Sequence, residues 1–354
     1  MSRTESLEFA PPVTARSTGL ARLAQRVFYL VRIQAGATAA TYGMAVNVFL
    51  LLRFALGEDS ELVALANMVA PWITGGALLS FAISLIAPYR AYWLLWSVPG
   101  VVVFVWWNGL LFIPGRPLLS PDTNDPFTVA TFNLKHIRSN IPVPEGTRAS
   151  IEAMDVDLLG VQEFSDAAST DGLDDLFPYS VRQGKLAVFS HFPLSEGQRI
   201  VRELPYDEEQ LVALRVTAQI NTTTVSVYVA HPQRPTMEIR PVTFDDSILK
   251  ADLAVLTGAL RQDPYPVILL CDCNFSPVSE SYANMTDLLD DTWHEAGFGL
   301  GFTAPARKDD TPFPVMRSDY VWHSAEFAAR AIRVESDHGL SDHFPVWAEL
   351  GWVD

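Results

Sequence analysis

Three long apolar stretches, at about 35 to 56, 62 to 87 and 91 to 113, dominate the first third of the chain. Each reaches the roughly 20 residues that a helix needs to cross a bilayer core, which predicts a transmembrane region over 35 to 113. The polar interruptions, Gly57-Glu58-Asp59-Ser60-Glu61 and Pro88-Tyr89-Arg90, fall where loops belong. A cleaved signal peptide does not account for the first stretch, which is too long and is followed by two more. Residues 19 to 34 form a basic amphipathic stretch suited to the membrane surface.

From residue 127 the pattern changes to short apolar runs separated by polar segments: 127 to 133, 157 to 162, 186 to 190, 211 to 219, 224 to 230, 266 to 272, 319 to 323 and 345 to 350. Many are β-branched and bounded by Pro, Asn, Asp or Gly, as strands are. Helices are expected at about 144 to 154, 243 to 262 and 281 to 296. Many strands with few helices predict an α+β fold, a two-sheet β-sandwich flanked by helices. The Pro- and turn-rich segment 114 to 126 reads as a linker, whose 13 residues reach at most about 45 Å.

Charge separates the halves further. The chain carries a net −16, but residues 1 to 116 hold eight basic and five acidic side chains, so the remainder stands at −19. A domain this acidic repels a polyanion at long range and disfavours nucleic acid as substrate. Arg16, Arg22, Arg26 and Arg32 precede the first span and Arg90 follows the second. Positive loops stay in the cytoplasm, so residues 1 to 34 are expected inside and everything after the third span outside; Arg53 and Arg116 count against this orientation. Cys271 and Cys273, two apart on a predicted strand, have Cα atoms expected about 6.6 Å apart, so two buried thiols are expected rather than a bridge.

Polar residues cluster at the ends of the apolar runs: Phe132-Asn133, Gln162-Glu163, Ala230-His231, Cys271-Asp272-Cys273-Asn274, Ser318-Asp319-Tyr320 and Ser341-Asp342-His343. Singly, each reads as a turn former. In this order they resemble the endonuclease/exonuclease/phosphatase (DNase I-like) superfamily over residues 127 to 354. Cys271 stands where that family's motif has glycine. The combination with three spans also resembles bacterial membrane phosphatases linked to glycopeptide resistance.

The resemblance implies a metal-dependent phosphoesterase. It makes Glu163 the principal Mg²⁺ ligand, with Asn133 beside it and Asp342 at a metal or water site; Mn²⁺ is the alternative cation. It implies that Asp272 activates or positions water, that Asn274 and His231 contact the phosphate, and that Asp319 orients His343. Hard oxygen ligands and imidazoles suit this chemistry. Ser336-Asp337-His338 repeats the terminal motif, but only Ser341-Asp342-His343 runs into an apolar strand. Arg234 lies outside the family core and has the chemistry to bind a substrate phosphate. Lys135, His136, His191 and His294 have no motif support. The expected substrate is a phosphorylated small molecule or a lipid-linked phosphate; an exported nuclease and a catalytically silent membrane sensor or scaffold are the alternatives.

Overall fold

The computed structural model describes residues 19–113, 123–135, 143–164, 173–239, 242–306 and 313–353. The chain forms two compact units, one of residues 1–47 and 75–101, the other of 48–74 and 102–354. The helices are α1 (Gly19–Leu56), α2 (Glu61–Met68), α3 (Ala70–Ile86) and α4 (Arg90–Asn108), followed later by α5 (Glu145–Met154), α6 (Ser247–Arg261), α7 (Glu280–Thr286) and α8 (Thr292–Ala296).

In the first unit, small residues let helices approach closely. Gly36, Ala39, Ala40 and Gly43 form the buried stripe of α1. A Cβ on Gly43 would meet the Trp96 carbonyl oxygen, and Ser80 Oγ donates to the Ala39 carbonyl at 2.8 Å. The expected surface stretch 19 to 34 is instead continuous with α1, because nothing in it interrupts a helix.

Among the described residues two helices, α1 with the turn after it and α4 with the turn that extends it, are long and apolar enough to cross a membrane. The expected second span is α2 and α3, which meet at a bend of 72° and reach that length only when counted as one span. The break has a local cause. Val69 leaves helical geometry, and Pro71 lacks the N–H that would continue the ladder while sitting acceptably in the first turn of α3.

The second unit contains the predicted α+β sandwich. One sheet has the order β13-β14-β1-β2-β4-β3, with β1 (Thr123–Asn133), β2 (Leu158–Gln162), β3 (Tyr179–Gln183), β4 (Leu186–Ser190), β13 (Phe327–Val334) and β14 (Val346–Val353). The other has the order β11-β12-β10-β7-β6-β5, with β5 (Gln198–Glu203), β6 (Glu209–Ile220), β7 (Thr223–Ala230), β10 (Val267–Asp272), β11 (Asp290–Asp291) and β12 (Asp319–His323). A separate hairpin joins β8 (Thr236–Ile239) to β9 (Val242–Asp245).

Valines, leucines and Phe127 from both inner faces fill the space between the sheets. At Gly160 the sheets come so close that a Cβ would meet Leu270 and Val229. Helix α5 covers the outer face of the first sheet and α6 with α7 that of the second. Strands buried on both faces lose polar alternation, which is why β10 reads as an unbroken apolar run from Val267 to Cys271.

Several boundaries differ from expectation. The strand expected from 127 begins at Thr123; residues 114 to 122 of the expected linker lie outside the described residues. The helix expected over 243 to 262 starts only at Ser247, because Val242–Asp245 pairs in the hairpin. The one expected over 281 to 296 is split into α7 and α8 by β11, which pairs with β12. Cys271 and Cys273 form a disulfide with Cα atoms 5.1 Å apart, against the expected thiols. Cys273 lies past the end of β10, where the chain turns toward the left-handed Asn274, and this shortens the span an extended strand would have.

Candidate active site

Topology brings the motif residues to one end of the sandwich. Strands β1 and β2 run parallel, as do β7 and β10, so Asn133, Glu163, His231 and Asp272 all stand at or just beyond C-terminal strand ends. Strand β12 runs antiparallel to β10, which places Asp319, its first residue, opposite Asp272. Strand β14 runs antiparallel to β1, so His343, just before it, arrives at the same end. Glu163 and Asn274 have φ of 53°, backbone that turns sharply off the strand ends; such left-handed geometry at a non-glycine residue gathers at functional sites.

The side chains meet around Asp272, which is buried. Asn133 Nδ2 donates to Asp272 Oδ2 at 2.8 Å and lies 3.4 Å from Glu163 Oε1, while Asn133 Oδ1 accepts from the Lys135 amide at 2.8 Å. His231 Nε2 lies 3.5 Å from Asp272 Oδ2 and 3.7 Å from Glu163 Oε1. His343 Nδ1 is 2.8 Å from Asp319 Oδ2, and its Nε2 faces Asp272 Oδ2 at 3.8 Å. Asn274 Nδ2 donates to the Pro232 carbonyl at 3.0 Å. Asp342 pairs with Lys135 Nζ at 3.2 Å.

Electrostatics follow from this crowding. Burial, then the Asp319 charge, push the Asp272 carboxyl above the ordinary range, against the pull of His343, His231 and the Asn133 amide. Burial alone would lower the His343 imidazole, but the carboxylates of Asp319, Asp272 and Asp342 outweigh it and hold it up at about 10. Two carboxylates this close repel each other unless cations intervene.

The outer oxygens of the pair, Asp272 Oδ1 and Asp319 Oδ1, are buried and have no hydrogen-bond partner among the described residues. Asp272, Asp319 and His343 offer ligand atoms all within 4.8 Å of one another. An orphaned buried carboxylate oxygen costs free energy that a hard divalent cation would recover, and Asp272 shares its cavity with the Glu163 carboxylate, so the donor set fits a metal.

A cavity of 700 Å³ opens over this cluster, lined by Glu163, His231, Asp272, Asn274, Asp342 and His343, with Arg234, Lys135 and Lys185 among its cations. His338 is turned away: its Nδ1 faces the Ser341 carbonyl at 2.7 Å and its ring packs edge-on against Phe344. His191 packs against Phe177, and His136 lies outside the described residues.

Sequence reasoning missed Thr303, whose Oγ1 donates to Asp319 Oδ2 at 2.6 Å, and gave no role to Ser318, which donates to the same oxygen at 2.9 Å. Ser318 adjoins Asp319 and was open to inference; Thr303 has no local signal. Lys185 also escaped notice, although the glycine turn at Gly184, φ 56°, that brings it to the cavity was readable between β3 and β4.

A two-sheet sandwich that converges carboxylates, imidazoles and amides on one cavity defines a phosphoesterase type of hydrolase. The family model described as the endonuclease/exonuclease/phosphatase family matches residues 130–343, and the chain belongs to that family. Its members are metal-dependent hydrolases of phosphoric esters, and this chain is an enzyme of that kind. The endonuclease/exonuclease/phosphatase from Bacteroides vulgatus shares the fold with a TM-score of 0.51 at 15% identity, over 65% of this chain and 100% of its own. The family member from Beutenbergia cavernae gives 0.49 at 20% identity over 65% and 72%. The mannosyl-6-phosphatase of Bacteroides thetaiotaomicron gives 0.46 at 18% identity over 64% and 100%. No curated protein matches the chain in sequence.

Proposed function

We propose that the protein is a membrane-anchored, Mg²⁺-dependent phosphoesterase that hydrolyses phosphate esters or pyrophosphates at the outer membrane surface. The observation that carries the catalytic part is the hydrogen-bonded Asp319–His343 pair facing Asp272, whose second oxygen is free beside an open cavity. The apolar helices support the anchor: most of their surface is unburied, which a bilayer would cover. The arginines before the first span, the acidic catalytic domain and the Cys271–Cys273 disulfide support an extracytoplasmic position, since disulfides persist in oxidising compartments.

In this reading Glu163 is the main protein ligand of the cation, with Asn133 tying it to Asp272 and Asp342 at the edge of the site. The cation would neutralise developing charge on the phosphate oxygens. Asp272 accepts a hydrogen bond from the attacking water and sets its line of approach. His343, oriented by Asp319, moves a proton at Nε2. His231 and Asn274 hold phosphate oxygens, and Arg234 on the rim adds a bidentate donor for a second anionic group.

The test is turnover of phospholipids, polyprenyl pyrophosphates, nucleotides and plasmid DNA by the purified protein with Mg²⁺ or Mn²⁺. Lipid-linked phosphates should be cleaved and DNA poorly, and Glu163→Ala should lower the rate at least about a hundredfold with little rescue by excess metal. Rapid DNA cleavage with no turnover of any lipid phosphate would overturn this reading in favour of a nuclease. A reporter fused after residue 126 should be active only outside the cytoplasm.

A further inference from the structure

The catalytic unit includes the chain ends of the apolar helices, and several of their contacts fall on the segment that follows Asn274. Ser276, two residues beyond Asn274, donates to the Asn67 carbonyl at 2.8 Å. Arg53 Nη2 donates to the Val278 carbonyl at 2.7 Å. Glu58 and Glu280 each accept the other's backbone amide at 3.1 Å, and the Phe244 amide donates to Glu61 Oε2 at 3.3 Å. The segment that follows Asn274, one of the motif residues, thus rests on residues 53–67.

Two segments, residues 297–306 and 313–316, add an aromatic surface next to the helix ends. Phe298 is 61% exposed and Phe313 53%, although both belong to the enzyme domain. Phe298 packs edge-on against Phe112 at 6.2 Å, and the Gly299 amide donates to the Leu111 carbonyl at 2.7 Å. Phe313 lies 6.0 Å from Trp72, which stacks on Phe302 at 5.5 Å and donates from Nε1 to the Val315 carbonyl at 2.8 Å. Phe112 and Trp72 stand at the ends of α4 and α3 and are themselves 44% exposed. Both exposed phenylalanines therefore continue the apolar surface of the helix ends, and apolar aromatic rings beside such helices suit burial at the headgroup–acyl boundary.

The first of these segments reaches the chemistry. Thr303, next to Phe302, donates to Asp319, its carbonyl accepts from the Phe344 amide at 2.9 Å, and the Ala306 amide donates to the Asp342 carbonyl at 2.6 Å.

We propose that Phe298 and Phe313 seat the catalytic unit in the interfacial layer of the bilayer, so that the active-site end lies against lipid and takes a phosphate carried by a membrane lipid. This rests on the membrane-anchored reading above. A bilayer is the occupant because the surface is continuous with helices whose apolar exteriors need lipid, and because burying aromatic area there adds free energy without a partner protein.

The experiment uses the full chain in vesicles of phosphatidylcholine and phosphatidylglycerol, with Phe298→Cys or Phe313→Cys carrying an environment-sensitive fluorophore. Cys271 and Cys273 are paired and buried, so only the introduced thiol is labelled. Tyr206→Cys, at a 96% exposed position between β5 and β6, is the reference. Brominated lipids should quench the labels at 298 and 313 several-fold more than the label at 206. Equal quenching at all three, or a label shielded only because the chain doubles its molar mass, would overturn the proposal. In parallel, Phe298→Ser/Phe313→Ser should lower turnover of a phosphorylated lipid in the vesicles about tenfold while leaving a soluble nitrophenyl phosphodiester unchanged. Unchanged lipid turnover would also overturn it. If the unaltered protein cleaves neither substrate, the proposed function fails, and the quenching still decides the docking.

Discussion

Strand β12 carries a carboxylate–imidazole pair at each end, and only one of them is a candidate for chemistry. At its start Asp319 holds His343 Nδ1 at 2.8 Å; at its end His323 Nε2 meets Glu295 Oε2 at 3.1 Å. Both clusters have spacings that could gather a cation, the second through Asp290. They differ in what is left over. His323 spends its other nitrogen on the Ser324 carbonyl at 3.1 Å, and Glu295 Oε2 also accepts the Ala329 amide at 2.8 Å. His343 keeps Nε2 toward a cavity, and Asp319 and Asp272 each keep an unpartnered buried oxygen. A carboxylate–imidazole pair with its valences filled holds strands together; one with valences free can handle a proton.

Removing each imidazole breaks this comparison most directly. His343→Ala should lower turnover by about 10² to 10⁴, the range of a lost general acid or base, whereas His338→Ala in the neighbouring Ser-Asp-His should leave most of it. Steady-state kinetics of the two variants would show the contrast, and comparable losses would dissolve it.

Thr303→Val sharpens the first end. Asp319 Oδ2 loses the nearer of its two hydroxyl donors but keeps Ser318, so turnover should fall about tenfold, the scale of one hydrogen bond to a charged group. The loss should appear in kcat with its pH profile displaced, and Thr303→Ser should restore both. An unaltered pH profile would assign Thr303 to packing alone.

His323→Gln sharpens the second end through stability rather than rate. Burial alone would lower this imidazole, but its hydrogen bond and charge pairing with Glu295 raise it above its ordinary value. A raised folded-state pKa adds stability that is present in full below the unfolded value of about 6.5 and is lost as pH rises through the folded one. The melting temperature of the variant should therefore fall furthest short of the unaltered protein below pH 6.5, and the gap should narrow at higher pH. Turnover measured well below the melting point should change less than twofold. A gap that widens with pH would contradict the ion pair.

The strand-end residues were legible because each sits where an apolar run stops. Asn133, Glu163, His231, Asp272 and His343 mark places where a doubly buried strand emerges, and the linear pattern records that emergence. The sequence also separated His343 from His338, since only one precedes an apolar strand. Other features depend on contacts that no local pattern encodes. Thr303 meets Asp319 from sixteen positions away in sequence, so its hydroxyl has no periodicity to announce it. The Cys271–Cys273 bridge departs from the expected thiols because extended geometry ends at Asp272, one residue before Cys273, where the chain turns. Helix α2 bends away from α3 at Val69, and its Asn67 carbonyl receives Ser276 from a segment 209 residues later. By itself the sequence determined which residues are apolar, which are chemically able and where strands end, because burial and chemistry act residue by residue. Only the tertiary structure decided which of those groups keep a free valence, because that depends on what the rest of the chain brings within hydrogen-bond distance.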